Sequence, residues 1–234
     1  MSLSLGIMQP YFLPYFGYFQ LITAVDKFLI YDNIKYTKKG WINRNRLLLN
    51  GKDEPFTIPL SKASDSLNIV ERNLSVTFNR RKLLNKFGGA YGKAPQFKTV
   101  FPLLEQILNF NDDNLFRFVH HSIKQICSYL GIVTPISITS AIKIDHGLKA
   151  QNKVLALCNA VGANIYINPI SGSTLYEYET FSDAGIDLKF IKNCPLEYEQ
   201  LGNEFVPSLS VIDVLMFNPS HLVRKAVFNK YKLV

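Results

Sequence analysis

Three polar side chains occupy positions where a proton could be moved during a reaction: Gln9, Asp32 and His146. A carboxylate or an imidazole can serve as a general acid or base. A side-chain amide beside a buried strand costs on the order of 1 to 3 kcal/mol unless a protein or ligand group hydrogen-bonds it. We therefore place these three residues in a catalytic centre. The alternative for Asp145 and His146 is a loop pair without function, and Asp32 needs a partner if it is buried.

Gln9 belongs to the segment IMQPYFLPYFGYFQLI, residues 7–22, which holds six aromatic side chains and two prolines. Aromatic residues between a strand and a helix usually pack in the core. We expect core packing for most of these rings, and we expect Tyr11 and Tyr15 to bind substrate beside Gln9.

A second segment, KYTKKGWINRNRLLLN (residues 35–50), combines positive charge, an indole ring and short amides. Arg44 and Arg46 can each bind a phosphate through paired hydrogen bonds. Trp41 can stack on a base or a sugar, and Asn43 adds an amide. The segment predicts a substrate-binding loop, and the alternative is a solvated basic loop.

A third segment, NPISGSTLYEYETF (residues 168–181), places Ser171, Gly172 and Ser173 between a predicted strand and a predicted helix. A turn at this position can present backbone N–H groups to an anion. The alternative is that a serine caps the helix. The segment is too short for a Walker A motif, and no GxGxxG occurs, so the sequence does not identify a dinucleotide or any other cofactor.

The three cysteines, Cys127, Cys158 and Cys194, lack the spacing of a zinc site or a disulfide framework. Cys127 and Cys158 fall in apolar helical patterns, so we expect buried, unpaired thiols in a reducing compartment and no metal site. The longest apolar stretch, residues 12–25, is interrupted and too short to span a bilayer. With no leader pattern at the start, we expect a cytoplasmic protein without membrane insertion.

The elements that must position these residues alternate between strands and helices. The predicted strands are residues 3–8, 28–33, 134–142, 164–168 and 188–192, and the predicted helices are residues 14–24, 148–161 and 174–184. This order is typical of an α/β fold with a doubly wound, mostly parallel, Rossmann-like sheet.

Two further elements are predicted within a single domain, residues 1–234: an inserted β element at about 44–76 and a helical segment at about 78–131. The β element begins with a hairpin and continues with a strand near 69–76. We expect strands 3–8 and 134–142 to be parallel neighbours, with ligands at their carboxyl ends.

The composition favours an anionic partner. The net charge is +8 and the isoelectric point is about 9.3, so the candidates are a phosphorylated small molecule, nucleic acid or anionic lipid headgroups. With 47% hydrophobic residues, the chain is outside the range of disordered proteins.

Four ordered segments resemble the WbqC-like protein family, whose bacterial members are associated with genes for O-antigen and other surface polysaccharides. The resemblance covers nearly the whole chain, and its segments are IMQPYFLPYFGYFQLI, YDN-x-KY-x-KKGWINRNR, NPISGSTLYEYETF and FVPSLSVIDVLMFN. Some members have His where this chain has Gln9, which argues against a catalytic histidine there, and many have Gly-Gly where it has Ser171-Gly172. The resemblance implies a pathway, lipopolysaccharide biosynthesis, more than a reaction.

Residues and resemblance together predict a transferase that acts on a nucleotide-activated sugar or a related anionic intermediate. Acyl or aminoacyl transfer to an amino sugar, with an acyl carrier as partner, is one candidate reaction. Nucleotidylyl transferases carry an HxGH motif at the turn after the first strand; this chain lacks those histidines, so that similarity is one of topology alone. The alternatives are a nucleic-acid-binding module and a non-catalytic glycan-assembly factor.

Overall fold

The central element is a six-stranded sheet in the order β5-β2-β1-β6-β7-β8, parallel throughout except for β8, which pairs antiparallel with β7. The computed structural model describes residues 2–194, 196–202 and 204–234. The strands are β1 Ser4–Met8, β2 Lys27–Ile30, β3 Arg44–Leu49, β4 Lys52–Thr57, β5 Ile136–Ile138, β6 Ile165–Pro169, β7 Asp187–Asn193 and β8 Tyr231–Leu233, of which β3 and β4 form a separate hairpin.

Helices cover both faces of this sheet, which confirms the predicted α/β, mostly parallel, Rossmann-like fold. Their bounds are α1 Phe16–Thr23, α2 Arg80–Tyr91, α3 Phe97–Leu108, α4 Leu115–Leu130, α5 Ala150–Val161, α6 Tyr178–Asp183, α7 Val211–Phe217 and α8 Ser220–Asn229, with 3-10 helices at Ile69–Glu71, Thr139–Ala141 and Ile170–Leu175.

Alternation along the strands divides the core into two layers. Leu5 and Ile7 of β1 pack with Leu157 of α5 and Phe181 of α6. Residues on the opposite face, such as Ile167 of β6, pack in a larger cluster that includes α1, α4 and α8. This period of two follows from the pleat, which sends successive side chains to opposite faces.

The prediction that strand 3–8 and strand 134–142 are neighbours is wrong. β1 pairs with β2 on one side and with β6 on the other, and β5 lies at the sheet edge beside β2. The chain therefore first winds outward from β1 through β2 to β5, and then returns to start β6 on the other side of β1. The strand order reverses between β1 and β6, so the crevice of a doubly wound sheet lies there.

The predicted strand 134–142 is short because a side chain ends it. β5 has three residues, and the chain then turns into the 3-10 helix Thr139–Ala141. Asp32 Oδ1 accepts hydrogen bonds of 2.9 Å from both the Thr139 hydroxyl and the Ser140 N–H. This local side-chain to backbone bond competes with the sheet ladder.

The inserted β element is confirmed in its first half and wrong in its second. The hairpin β3–β4 turns at Asn50 and Gly51, both with left-handed φ values. The predicted strand near 69–76 is instead a 3-10 helix, Ile69–Glu71, followed by irregular chain. Glu71 caps this helix by accepting a 2.8 Å hydrogen bond from the Asn68 N–H.

The helical segment predicted at 78–131 is confirmed as α2, α3 and α4. In the second half, the helix predicted at 174–184 is limited to α6 and is preceded by the 3-10 helix Ile170–Leu175. The C-terminal elements α7, α8 and β8 have no counterpart among the predicted elements.

Asp213 on α7 finds the partners that its burial requires. The hydroxyls of Tyr91 and Tyr198 donate to it at 2.9 and 2.6 Å, and Gln200 Nε2 donates at 2.7 Å. Burial nevertheless raises the pKa of Asp213 above its usual value. The network joins α2, α7 and the segment around residue 200.

Candidate functional site

Two cavities open at the carboxyl ends of β1 and β6. Each takes part of its wall from the segment after β1 and part from the segment after β6. The first, which we call the lysine cavity, has a volume of about 560 Å³ and is lined in part by Gln9, Tyr31, Asn33, Lys35, Asn68, His146, Lys149, Gln151, Lys153 and Tyr176. The second, the aromatic cavity, has a volume of about 330 Å³ and is lined by Met8, Tyr11, Pro14, Tyr15, Trp41, Asn45, Arg46, Pro169, Ser171 and Ser208.

The lysine cavity is positively charged. Lys35, Lys149 and Lys153 line it, and no carboxylate of the described chain does. Lys35 and Lys149 are exposed, whereas Lys153 is only 6% exposed. Three lysines without a carboxylate among the described lining residues favour an anionic ligand.

Lys153 is held by weak contacts. Its ammonium lies 3.5 Å from both the carbonyl and the side-chain oxygen of Asn33, and 3.4 Å from the His146 carbonyl. It also lies 5.7 Å from the centre of the Tyr31 ring. Burial lowers the pKa of Lys153, and the nearby Asp32 carboxylate opposes that shift in part. These long contacts leave the ammonium available to a stronger acceptor.

Asp32 is 2% exposed and lies behind the cavity wall. Through Thr139 it connects to Asn33, since the Thr139 hydroxyl is 2.9 Å from Asn33 Oδ1 as well as from Asp32 Oδ1. Asn33 Nδ2 in turn lies 2.8 Å from His146 Nδ1. Of the two candidates for moving a proton, Asp32 and His146, His146 lines the lysine cavity and Asp32 does not. Asp32 contacts His146 indirectly, through Thr139 and Asn33.

Asn33 orients the His146 ring. Asn33 Nδ2 lies 2.8 Å from His146 Nδ1, and Asn33 Oδ1 lies 3.5 Å from the Lys153 ammonium. An ammonium can only donate, so this orientation of the Asn33 amide directs its NH₂ group at His146 Nδ1.

Gln9 lies half-buried directly after β1 and lines the lysine cavity. Its side chain makes no hydrogen bond with the part of the chain that the structure describes, while its carbonyl accepts a 3.0 Å hydrogen bond from the Tyr18 hydroxyl. The backbone is thus fixed and the amide is free to bind a ligand. Asp145, the neighbour of His146, bonds the Gly147 N–H at 2.8 Å and serves the loop.

The rings after Gln9 divide between core and site. Phe12 is fully buried, whereas Tyr11 and Tyr15 line the aromatic cavity, and burial raises the pKa of both hydroxyls. Between them, Leu13 adopts a φ of 46°, a left-handed conformation that is costly for such a residue.

Two side chains hold Leu13 in this conformation. Its carbonyl accepts hydrogen bonds from Asn45 Nδ2 at 2.6 Å and from the Ser210 hydroxyl at 2.8 Å. The hairpin and the N-cap residue of α7 therefore fix the turn that presents Tyr11 and Tyr15.

Two residues of the basic segment 35–50, Trp41 and Arg46, line the aromatic cavity. Trp41 is 43% exposed, and the Arg46 guanidinium lies 5.5 Å from the centre of its ring. Arg46 also bonds Asp53 at 2.9 Å. These contacts place an indole face and a cation at the cavity rim.

Two other residues of this segment, Arg44 and Asn43, make hydrogen bonds that stabilise the segment itself. Arg44 donates to the carbonyls of Gly40 and Lys38, each at 2.8 Å. Asn43 is buried, accepts from Tyr36 and donates to the Ile58 carbonyl. The structure therefore separates Arg44 and Asn43 from both cavities.

The predicted turn at residues 171–173 is part of the 3-10 helix Ile170–Leu175. Ser171 is exposed and lines the aromatic cavity, whereas Ser173 lines neither cavity. A Cβ at Gly172 would clash with the Asn168 side chain. Gly172 thus allows close packing against Asn168, whose Nδ2 donates to the Tyr166 hydroxyl at 2.7 Å.

Sequence reasoning missed Lys153, Asn33, Tyr31 and Tyr176. A signal for Lys153 exists, because it lies four residues before the buried Leu157 on the predicted helix and so shares its inward face. Asn33 follows Asp32 at the end of a predicted strand, where functional polar residues concentrate. The described residues contain no group of three or more His, Cys, Asp or Glu side chains that could hold a metal ion.

Fold and site together define a doubly wound α/β protein with a lysine-rich cavity at the point where strand order reverses. The chain belongs to the WbqC-like protein family, whose sequence profile matches residues 9–225. It is similar to the uncharacterized protein Rv1507c of Mycobacterium tuberculosis, with 29% identity over 218 residues that cover 92% of this chain and 93% of that protein. No solved structure matches the chain.

Proposed function

We propose that this protein is a transferase that acts on a nucleotide-activated sugar or a related anionic intermediate of bacterial surface-polysaccharide biosynthesis. The observation that carries the proposal is the pair of cavities: one with three lysines and no carboxylate among its described lining residues, and one with three aromatic rings beside it. A phosphorylated sugar has the matching chemistry, since its phosphates need cations and the faces of its rings stack on aromatic side chains.

In this proposal the anion binds Lys153, with Lys35 and Lys149 at the rim. Trp41 and Arg46 contact the sugar or base in the aromatic cavity. Gln9 lines the lysine cavity. Its side-chain amide makes no hydrogen bond within the described chain, and in this proposal it binds a polar group of the substrate.

The candidate reaction is acyl or aminoacyl transfer to an amino sugar. The amine attacks the acyl carbon, the bond from that carbon to its leaving group breaks, and the proton lost by the amine neutralises the leaving thiolate or phosphate. Negative charge develops on the acyl oxygen during attack, and in this proposal a ring N–H of His146 donates a hydrogen bond to it.

A cytoplasmic location belongs to the proposal. Cys127 and Cys158 are free and buried, as predicted, which is usual for proteins of a reducing compartment. Among the described helices none has the length and apolarity required to cross a bilayer.

Isothermal titration calorimetry against a panel of nucleotide sugars, repeated at several salt concentrations, tests the binding step. We expect one nucleotide sugar to bind with a shallow salt dependence. Tight binding of oligonucleotides with a steep salt slope would instead support a nucleic-acid-binding module. Mass spectrometry of an amino-sugar nucleotide incubated with acyl donors tests turnover, and binding without any product would favour a non-catalytic assembly factor.

A further inference from the structure

A third cavity, which we call the arginine cavity, lies where the chain leaves β4 and has a volume of about 370 Å³. The charged residues of the described chain that line it are Lys38, Lys62, Asp65 and Arg72, three cations and one carboxylate. It shares no described lining residue with the lysine cavity or the aromatic cavity. Volumes above about 300 Å³ are typical of sites for small molecules.

Arg72 is the buried cation of this cavity, and its side chain is only 5% exposed. Its guanidinium lies 4.4 Å from the centre of the Tyr36 ring. The Tyr36 hydroxyl donates to Asn43 Oδ1 at 2.8 Å, and Asn43 Nδ2 donates to the Ile58 carbonyl at 2.7 Å. The ring against which Arg72 stacks is therefore held in place.

The Arg72 guanidinium has more donors than partners. An arginine carries five N–H donors, and within the part of the chain that the structure describes this one makes a single hydrogen bond, from Nη2 to the Ser64 carbonyl at 2.7 Å. Nε is closed off from solvent without a partner, whereas Nη1, which also makes no hydrogen bond there, retains accessible surface. Because Arg72 lines the cavity, Nη1 is the atom that can reach a ligand.

The carboxylate that faces Arg72 neutralises it only in part. Asp65 Oδ1 lies 3.9 Å from Arg72 Nη2, and the Asp65 side chain is 62% exposed. Its other oxygen lies 2.8 Å from the ammonium of Lys38, which is exposed as well. Ion pairs between exposed side chains contribute little, whereas a buried charge normally has a close partner of opposite sign. The position of such a partner at Arg72 is open to a ligand.

We propose that the arginine cavity binds a small phosphate monoester. The phosphate oxygens accept hydrogen bonds from Arg72 Nη1, and the ammonium groups of Lys38 and Lys62 add charge at the rim. Three cations against one carboxylate suit a doubly charged group, and a guanidinium matches phosphate oxygens in geometry. The organic group of the ligand occupies the remaining volume beside Pro59 and Leu60. This site is additional to the proposed function and does not depend on it.

Lys62 supplies a reporter in the unmodified protein, because it is exposed and lines the arginine cavity. Acetylation of individual lysines by N-hydroxysuccinimide acetate is followed by peptide mass spectrometry. We expect millimolar glycerol 3-phosphate, a small phosphate monoester, to slow acetylation of Lys62 and to leave acetylation of the exposed Lys225 on α8 unchanged.

Two further probes determine what is bound. Inorganic phosphate should protect Lys62 less than glycerol 3-phosphate does, since it lacks the organic group, and uncharged glycerol should not protect it. Equal protection by inorganic phosphate overturns the assignment to a monoester. Failure of glycerol 3-phosphate to protect Lys62 overturns the site itself.

The variant Asp65→Asn removes the carboxylate that faces Arg72 and keeps the size of an exposed side chain. A bound phosphate then meets no fixed negative charge, so half-protection of Lys62 should occur at an about two- to five-fold lower concentration of glycerol 3-phosphate. Asp187→Asn is the matched control, because Asp187 is also exposed and lies 2.9 Å from a lysine ammonium. Identical protection curves for the two variants contradict the proposal.

The variant Arg72→Lys keeps the charge and removes the planar guanidinium, so we expect about ten-fold weaker protection. Arg80→Lys is its control, since Arg80 also lies over an aromatic ring, 5.6 Å from the centre of Phe78, and pairs with the exposed Asp113 at 3.3 Å. Thermal melting shows which variants are folded. Unchanged protection in folded Arg72→Lys protein refutes the site, and if this variant does not fold, the Asp65→Asn result decides.

Acetylation of Lys35 and Lys149 in the same samples reports on the lysine cavity. If glycerol 3-phosphate protects these two lysines but not Lys62, phosphate binds in the lysine cavity, the arginine site is refuted and the proposed function stands. If Lys62 is protected while no nucleotide sugar binds to the protein, the arginine site stands and the proposed function fails.

Discussion

Replacing Lys153 by methionine should weaken anion binding strongly while leaving the fold intact. Met has a similar length and is apolar, so it can occupy the space of the Lys153 side chain, which is only 6% exposed. The contacts it would lose are long, between 3.4 and 3.5 Å, and hydrogen bonds at this distance contribute little. We therefore expect the free energy of unfolding to change by less than about 1 kcal/mol.

The sign of the pH dependence supports this expectation. Burial lowers the pKa of Lys153 below its unfolded value of 10.5. A lysine with a lowered pKa destabilises the folded state at every pH below the folded pKa, and the penalty is relieved as pH rises toward 10.5. The Lys153→Met protein lacks this penalty, so any change in stability at neutral pH should be toward a higher melting temperature.

The effect on binding should be much larger. A hydrogen bond from a charged donor contributes about 1.5 to 3 kcal/mol. Since 1.4 kcal/mol corresponds to a factor of ten in the equilibrium constant, the dissociation constant of a phosphorylated ligand should rise by about 10- to 100-fold. Isothermal titration calorimetry measures this constant, and differential scanning calorimetry measures the melting temperature of the same sample.

The same substitution at Lys35 and Lys149 provides matched controls. Both are exposed at the rim of the lysine cavity, where an ion pair contributes only about 0.2 to 1 kcal/mol and is screened by salt. Each should raise the dissociation constant by less than about five-fold, with an effect that shrinks as salt increases. Equal losses at all three lysines, or a Lys153→Met protein that is destabilised by several kcal/mol but binds normally, would refute the reasoning.

Three further predictions concern other residues. Gln9→Leu should leave the melting temperature unchanged but weaken ligand binding by about 0.5 to 1.5 kcal/mol in calorimetry, because the Gln9 amide bonds nothing in the described chain. Cys194 should react with a thiol reagent far faster than Cys127 and Cys158, whose burial raises the pKa of each thiol to about 12; rapid labelling of all three in native protein would contradict their burial. Asp213 has a raised pKa, so its ionised form costs stability at neutral pH, and that cost is relieved as pH falls through the raised pKa. Urea titrations at several pH values should show this gain in the unmodified protein relative to Asp213→Asn, and parallel pH profiles would disprove it.

The α/β class was readable from the sequence because its signals are local. Alternating apolar residues and the helical spacing of α4 and α5 depend only on neighbours along the chain. Strand order is not local. β5 pairs with β2 rather than with β1, and α2, α3 and α4 separate β2 from β5 along the chain, so no short pattern records this pairing.

The candidate site was readable in part for the same reason. The composition of the segment after β1 predicted a site there. Its Gln9 lines the lysine cavity, and its Tyr11 and Tyr15 line the aromatic cavity. Arg44 has the same composition signal as Arg46, yet its guanidinium bonds two carbonyls of its own loop. Only the path of the loop distinguishes a residue that holds the loop from one that can hold a ligand.

The two cavities are positioned by different parts of the chain, and this separation follows from the fold. The lysine cavity depends on Asp32, which ends β5 at Thr139 and so directs the loop that carries His146. The aromatic cavity depends on Asn45 of the hairpin, which holds the left-handed turn at Leu13. The segment after β1 contributes to both, because Gln9 lines the lysine cavity and Tyr11 and Tyr15 line the aromatic cavity. The aromatic residues after Gln9 therefore have two roles. Those in the core, such as Phe12, fix the path of the turn, and Tyr11 and Tyr15 line the aromatic cavity next to Gln9.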